Sequence, residues 1–210
     1  DRLMGRVLSP PMSDAFLAIH AATGTRVRLS TTATGIEGRR VTLSDGDVLD
    51  TDAIVIAAGI LPNVELAQAA GLEVGNGVVV SDRLLTSDPA NSAIGDCALH
   101  PNPHAGGMIR LESVQNAVDQ GKCVAARLTG DDRPYDALPW FWSHQGAAKL
   151  QIAGLAVGMD DAVMRGDPAS GKFSVFVYRQ GRLIAVESVN SPADHMVARR
   201  LLSSGLSVPR

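Results

Sequence analysis

Residues 86–98 read TSDPANSAIGDCA, a turn followed by a short apolar run, Ala93-Ile94, that ends at Gly95 and Asp96. The apolar run predicts a strand of a parallel sheet, and ligands bind beyond the carboxyl ends of such strands. A carboxylate at that position can accept hydrogen bonds from a sugar-like hydroxyl group. A glycine before it lets the backbone approach a ligand closely. Residues 86–98 therefore predict a ligand site in an α/β fold.

The composition of the chain narrows the class of protein. Its 210 residues are 45% apolar, and 19 Lys and Arg against 22 Asp and Glu give a net charge of −3, too balanced for a nucleic-acid-binding surface. No apolar run is long enough to cross a membrane. Cys97 and Cys123 lie far apart in the sequence, which predicts no metal site and a reducing, cytoplasmic setting. The first residue, Asp1, predicts a clipped or truncated product.

The first part of the chain predicts one helix and several strands. Apolar residues recur at helical spacing over residues 12–23. Short alternating runs at 26–29, 40–43 and 48–49 predict strands joined by a hairpin. Residues 53–57, AIVIA, form a continuous apolar run that predicts a buried parallel strand.

The rest of the chain predicts a mixture of helices and strands. A short helix at 64–70 and a strand at 78–80 come before residues 86–98, and a long helix is expected over 112–128. The apolar residues that can share one face of the long helix are Val114, Ala117, Val118, Val124, Ala125 and Leu128. The Pro-, Gly- and His-rich residues 101–107 predict a surface loop.

The last part of the chain begins with an aromatic-rich segment and ends in a predicted helix. Alternating runs at 172–178 and 182–189 flank Gln180-Gly181 and predict a hairpin. Ser191-Pro192 is typical of a helix start.

Three motifs together resemble one family. They are IAAGILPN at 56–63, TSDPANSAIGDCA at 86–98, and RLESVQNA at 110–117 taken with PWFWS at 139–143. This combination is similar to the FAD-dependent NAD(P)H:ferredoxin reductases, relatives of putidaredoxin and rubredoxin reductases in the pyridine nucleotide-disulfide oxidoreductase superfamily. The resemblance implies an enzyme that passes electrons from NAD(P)H through FAD to an iron-sulfur ferredoxin that feeds an oxygenase.

The resemblance also implies a fold of α/β and α+β parts. Residues 1–58 would be the remainder of the NAD-binding domain, and residues 59–136 the returning half of the FAD-binding domain, which together form part of a two-dinucleotide-binding flavoprotein fold. Residues 137–210 would be a small α+β carboxyl-terminal reductase domain. No Gly-x-Gly-x-x-Gly turn occurs in the sequence, so about the first half of the family pattern is missing.

The cofactor-binding residues implied by the resemblance begin with Gly95 and Asp96, with Asp96 holding the ribityl chain. Ser113 and Val114 follow, and the amide of Val114 would face the pyrimidine edge of the flavin, where a helix amino terminus favours electron-rich carbonyls. The alternative for Asp96 is a turn aspartate that bonds only local amides.

Trp142, Gly59 and Glu112 complete the implied cofactor site. Trp142 would lie by the flavin ring or face the ferredoxin, and we expect it to point to the opposite side of an extended strand from Trp140, which would pack the domain. Gly59 would line the passage through which the nicotinamide approaches the flavin. Glu112 would contact the nicotinamide side of that passage. Each residue also has an alternative explanation. Trp142 could only pack against the domain, Gly59 could only serve the turn at the end of a strand, and Glu112 could only interact with the helix dipole. Hydride transfer itself needs no acid-base residue, so no catalytic residue is predicted.

Two other functions stay open on the sequence. One is a flavin disulfide reductase of the glutathione reductase type, although His195 lacks the His-Pro motif of that group. The other is a folded, non-catalytic fragment without FAD. The choice between NADH and NADPH and the oligomeric state are also open. His144 stands where many relatives have aspartate, which would give the docking region a titratable group.

Overall fold

The computed structural model describes residues 1–206, and the chain divides into two compact units, Asp1–Ile60 and Leu61–Arg210. No helix within the described residues is long and apolar enough to span a bilayer.

The first unit contains one helix and one antiparallel sheet. Helix α1 covers Pro10–Ala22, with proline at its start, and buries Met12 and Phe16. The sheet has the order β1-β2-β3, with strands Ala33–Glu37, Arg40–Leu43 and Val48–Asp50. The predictions of the helix and of strands at 40–43 and 48–49 are confirmed. The predicted strand at 26–29 is wrong, because the chain there runs into a turn and pairing begins only at β1.

The predicted buried strand at residues 53–57 is also wrong in this structure. These residues form no strand, and Val55 is 88% exposed. A parallel strand that is buried on both faces needs a neighbour on each edge and a layer on each side. The described part of the chain places no strand beside this segment.

The second unit begins with a short helix and a small mixed sheet. Helix α2 covers Glu65–Ala69, and the strands are β4 (Val74–Gly75), β5 (Gly77–Val79), β6 (Ala98–Asn102) and β7 (Gly107–Ile109), in the order β4-β5-β6-β7. Only the β5-β6 pair is parallel. The predicted helix at 64–70 and strand at 78–80 are confirmed. Residues 101–107 are not only a loop, since they include the end of β6 and the turn into β7.

The segment that contains Asp96 differs from its prediction. Ala93-Ile94 forms no strand; a 3₁₀ turn covers Gly95–Cys97, and β6 begins after it at Ala98. Asp96 therefore lies before a strand rather than beyond the end of one. Ile94 has extended backbone angles (φ −141°, ψ 164°), but within residues 1–206 no strand pairs with it.

The carboxyl-terminal part of the second unit is a five-stranded antiparallel sheet covered by a helix. The order is β10-β11-β12-β9-β8, with strands β8 (Trp140–Gln145), β9 (Ala148–Gly154), β10 (Asp161–Asp167), β11 (Lys172–Arg179) and β12 (Arg182–Val189). Helix α4, Pro192–Ser203, packs on β12 and β9, and Ala198 joins Ala153 and Val186 in the core. The predicted hairpin and final helix are confirmed, as is the mixed α/β and α+β fold class.

Candidate functional site

The turn at Gly95 and Asp96 combines a buried backbone with an exposed carboxylate. Gly95 is buried and has φ +74°, a left-handed conformation that glycine adopts most readily. A Cβ atom at Gly95 would lie 3.5 Å from the Cβ of Ala117, an ordinary contact, so the backbone angle rather than crowding favours glycine. Asp96 itself is exposed. The turn therefore presents its acid to any ligand bound above it.

Arg110 connects this turn to the start of the long helix. Its side chain is only 6% exposed, and Nη1 donates a hydrogen bond to the backbone oxygen of Asp96 at 2.9 Å. The same nitrogen lies 2.8 Å from Oε1 of Glu112. Arg110 was not among the predicted site residues, although it opens the RLESVQNA motif. A buried arginine shared by a carbonyl and a carboxylate fixes the distance between them.

Helix α3 covers Val114–Leu128 and begins two residues later than predicted. The Oγ atom of Ser113 accepts a hydrogen bond from the amide of Asn116 at 3.2 Å and so caps the helix. Val114 is the first helical residue and is 64% exposed. Its amide belongs to the first turn, where amides have no acceptor within the helix. The helix start therefore offers donors and a positive dipole end at the surface.

The predicted apolar face of α3 is confirmed only in part: Val124 packs against the core, but the buried residues of the helix are polar. The buried residues of the helix are Gln115, Asn116 and Gln120. Val118 and Leu128 are exposed along with Val114. The buried amides find partners in neighbouring segments, which makes their burial tolerable. Val114, Val118 and Leu128 are thus left on the open side, whereas Cys123 and Val124 pack against the buried cluster of Val80, Leu84, Ala98 and Tyr135.

Asn116 and Tyr135 show how the polar face is satisfied. The hydroxyl group of Tyr135 donates to Oδ1 of Asn116 at 3.0 Å, and Nδ2 of Asn116 donates to the backbone oxygen of Leu111 at 3.2 Å. Burial raises the pKa of Tyr135, which keeps the hydroxyl protonated and donating. These bonds attach the segment before α3 to the helix.

Trp140 and Trp142 lie on the same side of β8, so the expectation of opposite sides is wrong. Their ring centroids are 5.6 Å apart and the rings are stacked, with an interplanar angle of 29°. Side chains alternate along a strand, and residues two apart therefore share a face. Trp142 is 44% exposed. The backbone amide of Trp140 donates to Oε1 of Gln115 at 3.1 Å, which connects β8 to α3.

Trp140 is also the centre of a packed cluster on α4. Arg199 lies over its ring at 4.1 Å from the centroid, and the ring of His195 meets it edge-on at 5.8 Å. His195 is 2% exposed. Burial, with a smaller contribution from the charge of Arg199, lowers the pKa of His195 to about 4. Trp140 thus anchors helix α4 on the sheet.

Five of the predicted site residues meet around the start of α3: Gly95, Asp96, Glu112, Ser113 and Val114. Trp142 is connected to them through Trp140 and Gln115. Gly59 belongs to the first unit, where it has φ +92° and its Cβ position lies 3.6 Å from Nη1 of Arg6. The structure adds Arg110, Gln120 and His100 as buried polar residues that hold the site. The sequence shows three amide side chains, Gln115, Asn116 and Gln120, among the apolar positions of α3, but it does not show which groups they bond.

The arrangement fits a ligand with a polyol chain and a carbonyl-bearing ring. An exposed carboxylate on a left-handed turn can accept hydrogen bonds from hydroxyl groups, and helix amides can donate to ring carbonyls. The exposed Val114 and Val118 side chains offer apolar contact beside the amides. These features provide binding and orientation.

Two family models match the chain. Pyridine nucleotide-disulphide oxidoreductase matches residues 1–121, and Reductase C-terminal matches residues 140–210. Rhodocoxin reductase of Rhodococcus erythropolis is 51% identical over 209 residues, which are 97% of this chain and 49% of that protein.

Solved structures with the same fold include two ferredoxin-type reductases. A ferredoxin reductase from Rhodopseudomonas palustris superposes with a TM-score of 0.95 and 50% identity, covering 99% of this chain and 53% of that one. Putidaredoxin reductase in its covalent complex with putidaredoxin gives a TM-score of 0.95 and 36% identity, covering 99% and 52%. The chain thus spans about half the length of the relatives it matches.

Proposed function

We propose, since this chain belongs to the pyridine nucleotide-disulphide oxidoreductase family, that the complete protein passes electrons from NAD(P)H through FAD to a small iron-sulfur ferredoxin. The observation that carries the proposal is the meeting of the Asp96 turn with the exposed start of α3, bridged by Arg110. The similarity of the whole chain to a ferredoxin reductase and to a reductase solved with its putidaredoxin supports the same conclusion.

FAD would be held by this chain at two places. The Asp96 carboxylate would accept hydrogen bonds from the ribityl hydroxyls, with Gly95 allowing close approach. The Ser113 and Val114 end of α3 would direct its amides at the pyrimidine edge of the flavin, where the helix dipole stabilises negative charge. When bound, FAD supplies the acceptance of a hydride and the release of single electrons.

The remaining predicted residues would serve the two partners of the flavin. Gly59 and Glu112 would line the approach of the nicotinamide. Trp142, which is half-exposed on β8, would lie beside the flavin ring or the docked ferredoxin. We propose that this ferredoxin feeds an oxygenase.

The domain organisation that we propose has boundaries at 58 and 136. Residues 1–58 would complete an NAD-binding domain, and residues 59–136 would complete an FAD-binding domain. Residues 137–210 would form the carboxyl-terminal reductase domain. Apolar side chains are exposed at residues 53–57 and, on α3, at Val114, Val118 and Leu128. We propose that the rest of the protein and the flavin cover them. Cys97 and Cys123 are free thiols, which agrees with a reducing, cytoplasmic setting.

The disulfide-reductase alternative receives no support from His195. His195 is followed by Met196 rather than by the proline of the His-Pro motif, and it is buried against Trp140. The non-catalytic alternative concerns only the 210-residue chain without the remaining half of the family fold.

The test is the FAD content of the complete protein and of its Asp96→Ala variant. We expect flavin absorbance in the wild type and FAD binding at least tenfold weaker in the variant, because hydrogen bonds to a charged group contribute about 1.5–3 kcal/mol. Asp88→Ala is the matched control, since within residues 1–206 the Asp88 carboxylate bonds only Ala90 and Asn91 of its own turn. Equal FAD affinity in the wild type and Asp96→Ala would contradict the assignment.

A further inference from the structure

We propose that Gln120 is a positioning residue for the flavin: from the middle of α3 it holds the Gly95-Asp96 turn in the conformation that presents the Asp96 carboxylate. The proposal deepens the proposed function and rests on it, because Asp96 is taken as the ribityl-binding acid. Gln120 touches no ligand itself, and it acts through the backbone of Gly95.

The side chain of Gln120 is fully buried and both of its polar atoms are used. Oε1 accepts a hydrogen bond from the amide of Gly95 at 2.7 Å, and Nε2 lies 3.2 Å from Nδ1 of His100. A backbone amide can only donate, so Oε1 must face Gly95 and Nε2 must face His100. The orientation of the amide group is therefore fixed by its partners, and Nδ1 of His100 is the acceptor.

His100 keeps Gln120 in this orientation from the other side. It lies on β6, is fully buried, and meets the ring of Tyr135 edge-on at 5.5 Å between centroids. Burial lowers its pKa, which favours the neutral ring that can accept at Nδ1. The turn, the helix and the strand after the turn are thus joined by one side chain.

Two anchors fix the turn, one on each side of the Gly95–Asp96 peptide bond. Gln120 holds the amide of Gly95, and Arg110 holds the carbonyl oxygen of Asp96. Gly95 is in a left-handed conformation and has no side chain of its own to pack. Without Gln120, the amide of Gly95 is buried without an acceptor in this arrangement, and the turn gains by moving to reach one. Such a move displaces the Asp96 carboxylate.

The experiment compares Gln120→Leu with Asn102→Leu in the complete protein. Asn102 is a matched control because it is a buried amide side chain of the same unit whose Oδ1 accepts from backbone amides, those of His104 at 2.9 Å and Ala105 at 3.1 Å. Both variants lose one buried acceptor and should lower the melting temperature of the FAD-free protein similarly. Only Gln120→Leu should raise the dissociation constant of FAD, by roughly tenfold, since a lost buried hydrogen bond costs that much.

The outcomes separate this proposal from the proposed function. If the wild type binds FAD and Gln120→Leu binds it equally well, or if both variants lose affinity equally, Gln120 has no positioning role. A wild type that binds no FAD overturns the proposed function and this proposal with it. If Gln120→Leu does not fold, the unbranched Gln120→Met gives the same comparison.

Discussion

The buried imidazole of His195 makes the carboxyl-terminal sheet sensitive to acid. Neither ring nitrogen of His195 has a hydrogen-bond partner among the described residues, and the ring packs on Trp140 beside Arg199. A protonated ring here would be a second cation in a water-poor site. The folded protein therefore disfavours the charged form, while the unfolded chain does not.

The magnitude follows from the pKa of His195, which burial lowers from its ordinary 6.5 to about 4. Between these two values the unfolded chain binds a proton that the folded protein does not, so stability falls as the pH falls. The loss is complete near the folded pKa and amounts to about 3 kcal/mol. Above its ordinary pKa, His195 is neutral in both states, so it adds no pH dependence to the free energy of unfolding.

The assay is urea unfolding of the complete protein and of His195→Phe at several values from about pH 7.5 to about pH 4.5, followed by tryptophan fluorescence. Phenylalanine keeps the edge-on contact with Trp140 and removes the titratable group. We expect the variant to lose about 2.5 kcal/mol less than the wild type over this range, which stops just above the folded pKa. Val163→Ala, at an exposed position of the same sheet, leaves the His195 ring in place and should retain the wild-type pH dependence.

Parallel curves for the wild type and His195→Phe would refute this reasoning. They would mean that His195 gains water or a hydrogen-bond partner when protonated, and so pays no penalty for charge. Because other titrating groups act equally in both proteins, only the difference between the curves is assigned to His195.

Two further substitutions test the site and its support. Gly77→Ala should lower stability by about 2 kcal/mol or more, because Gly77 has φ +127° and its Cβ would lie 2.6 Å from the backbone oxygen of Cys97. Gly75→Ala, with only an ordinary 3.4 Å contact to Leu99, is the control, and equal melting temperatures in the two variants would contradict the steric argument. Trp142→Ala should reduce ferredoxin-dependent turnover more than reduction of a small dye, and equal losses in the two assays would leave Trp142 only a packing role.

The sequence pattern was sufficient to predict secondary structure where a segment pairs with another segment that is close to it in the sequence. The hairpin of β11 and β12 and the capped helix α4 were predicted because alternation, turn residues and capping signals lie within each segment. Residues 53–57 and Ala93-Ile94 were predicted as strands from their apolar composition. Apolar composition indicates that a segment favours a buried strand. A strand also needs a hydrogen-bonded neighbour, and the described residues place none beside either segment.

The candidate site was partly predictable from its motifs and partly hidden in buried polar contacts. The motifs contained Asp96, Ser113 and Val114, and the structure brings their segments together. The roles of Arg110 and Gln120 were not predictable, since a periodicity argument assigns polar side chains of a helix to solvent. Their partners are backbone groups of distant segments, and these have no signature in the sequence.

The mixed polarity of the buried side of α3 explains how one helix can both support the fold and leave a surface for a ligand. Its buried amide groups each bond one particular backbone group, Gln120 at Gly95 and Gln115 at Trp140. Directional bonds fix positions in a way that apolar contacts, which tolerate sliding, do not. The apolar side chains Val114 and Val118 are then free to face outward beside the helix start. Where a carboxylate and a set of amides must be held at a fixed separation, the buried polar side chains keep that geometry, while Val114 and Val118 stay exposed for apolar contact.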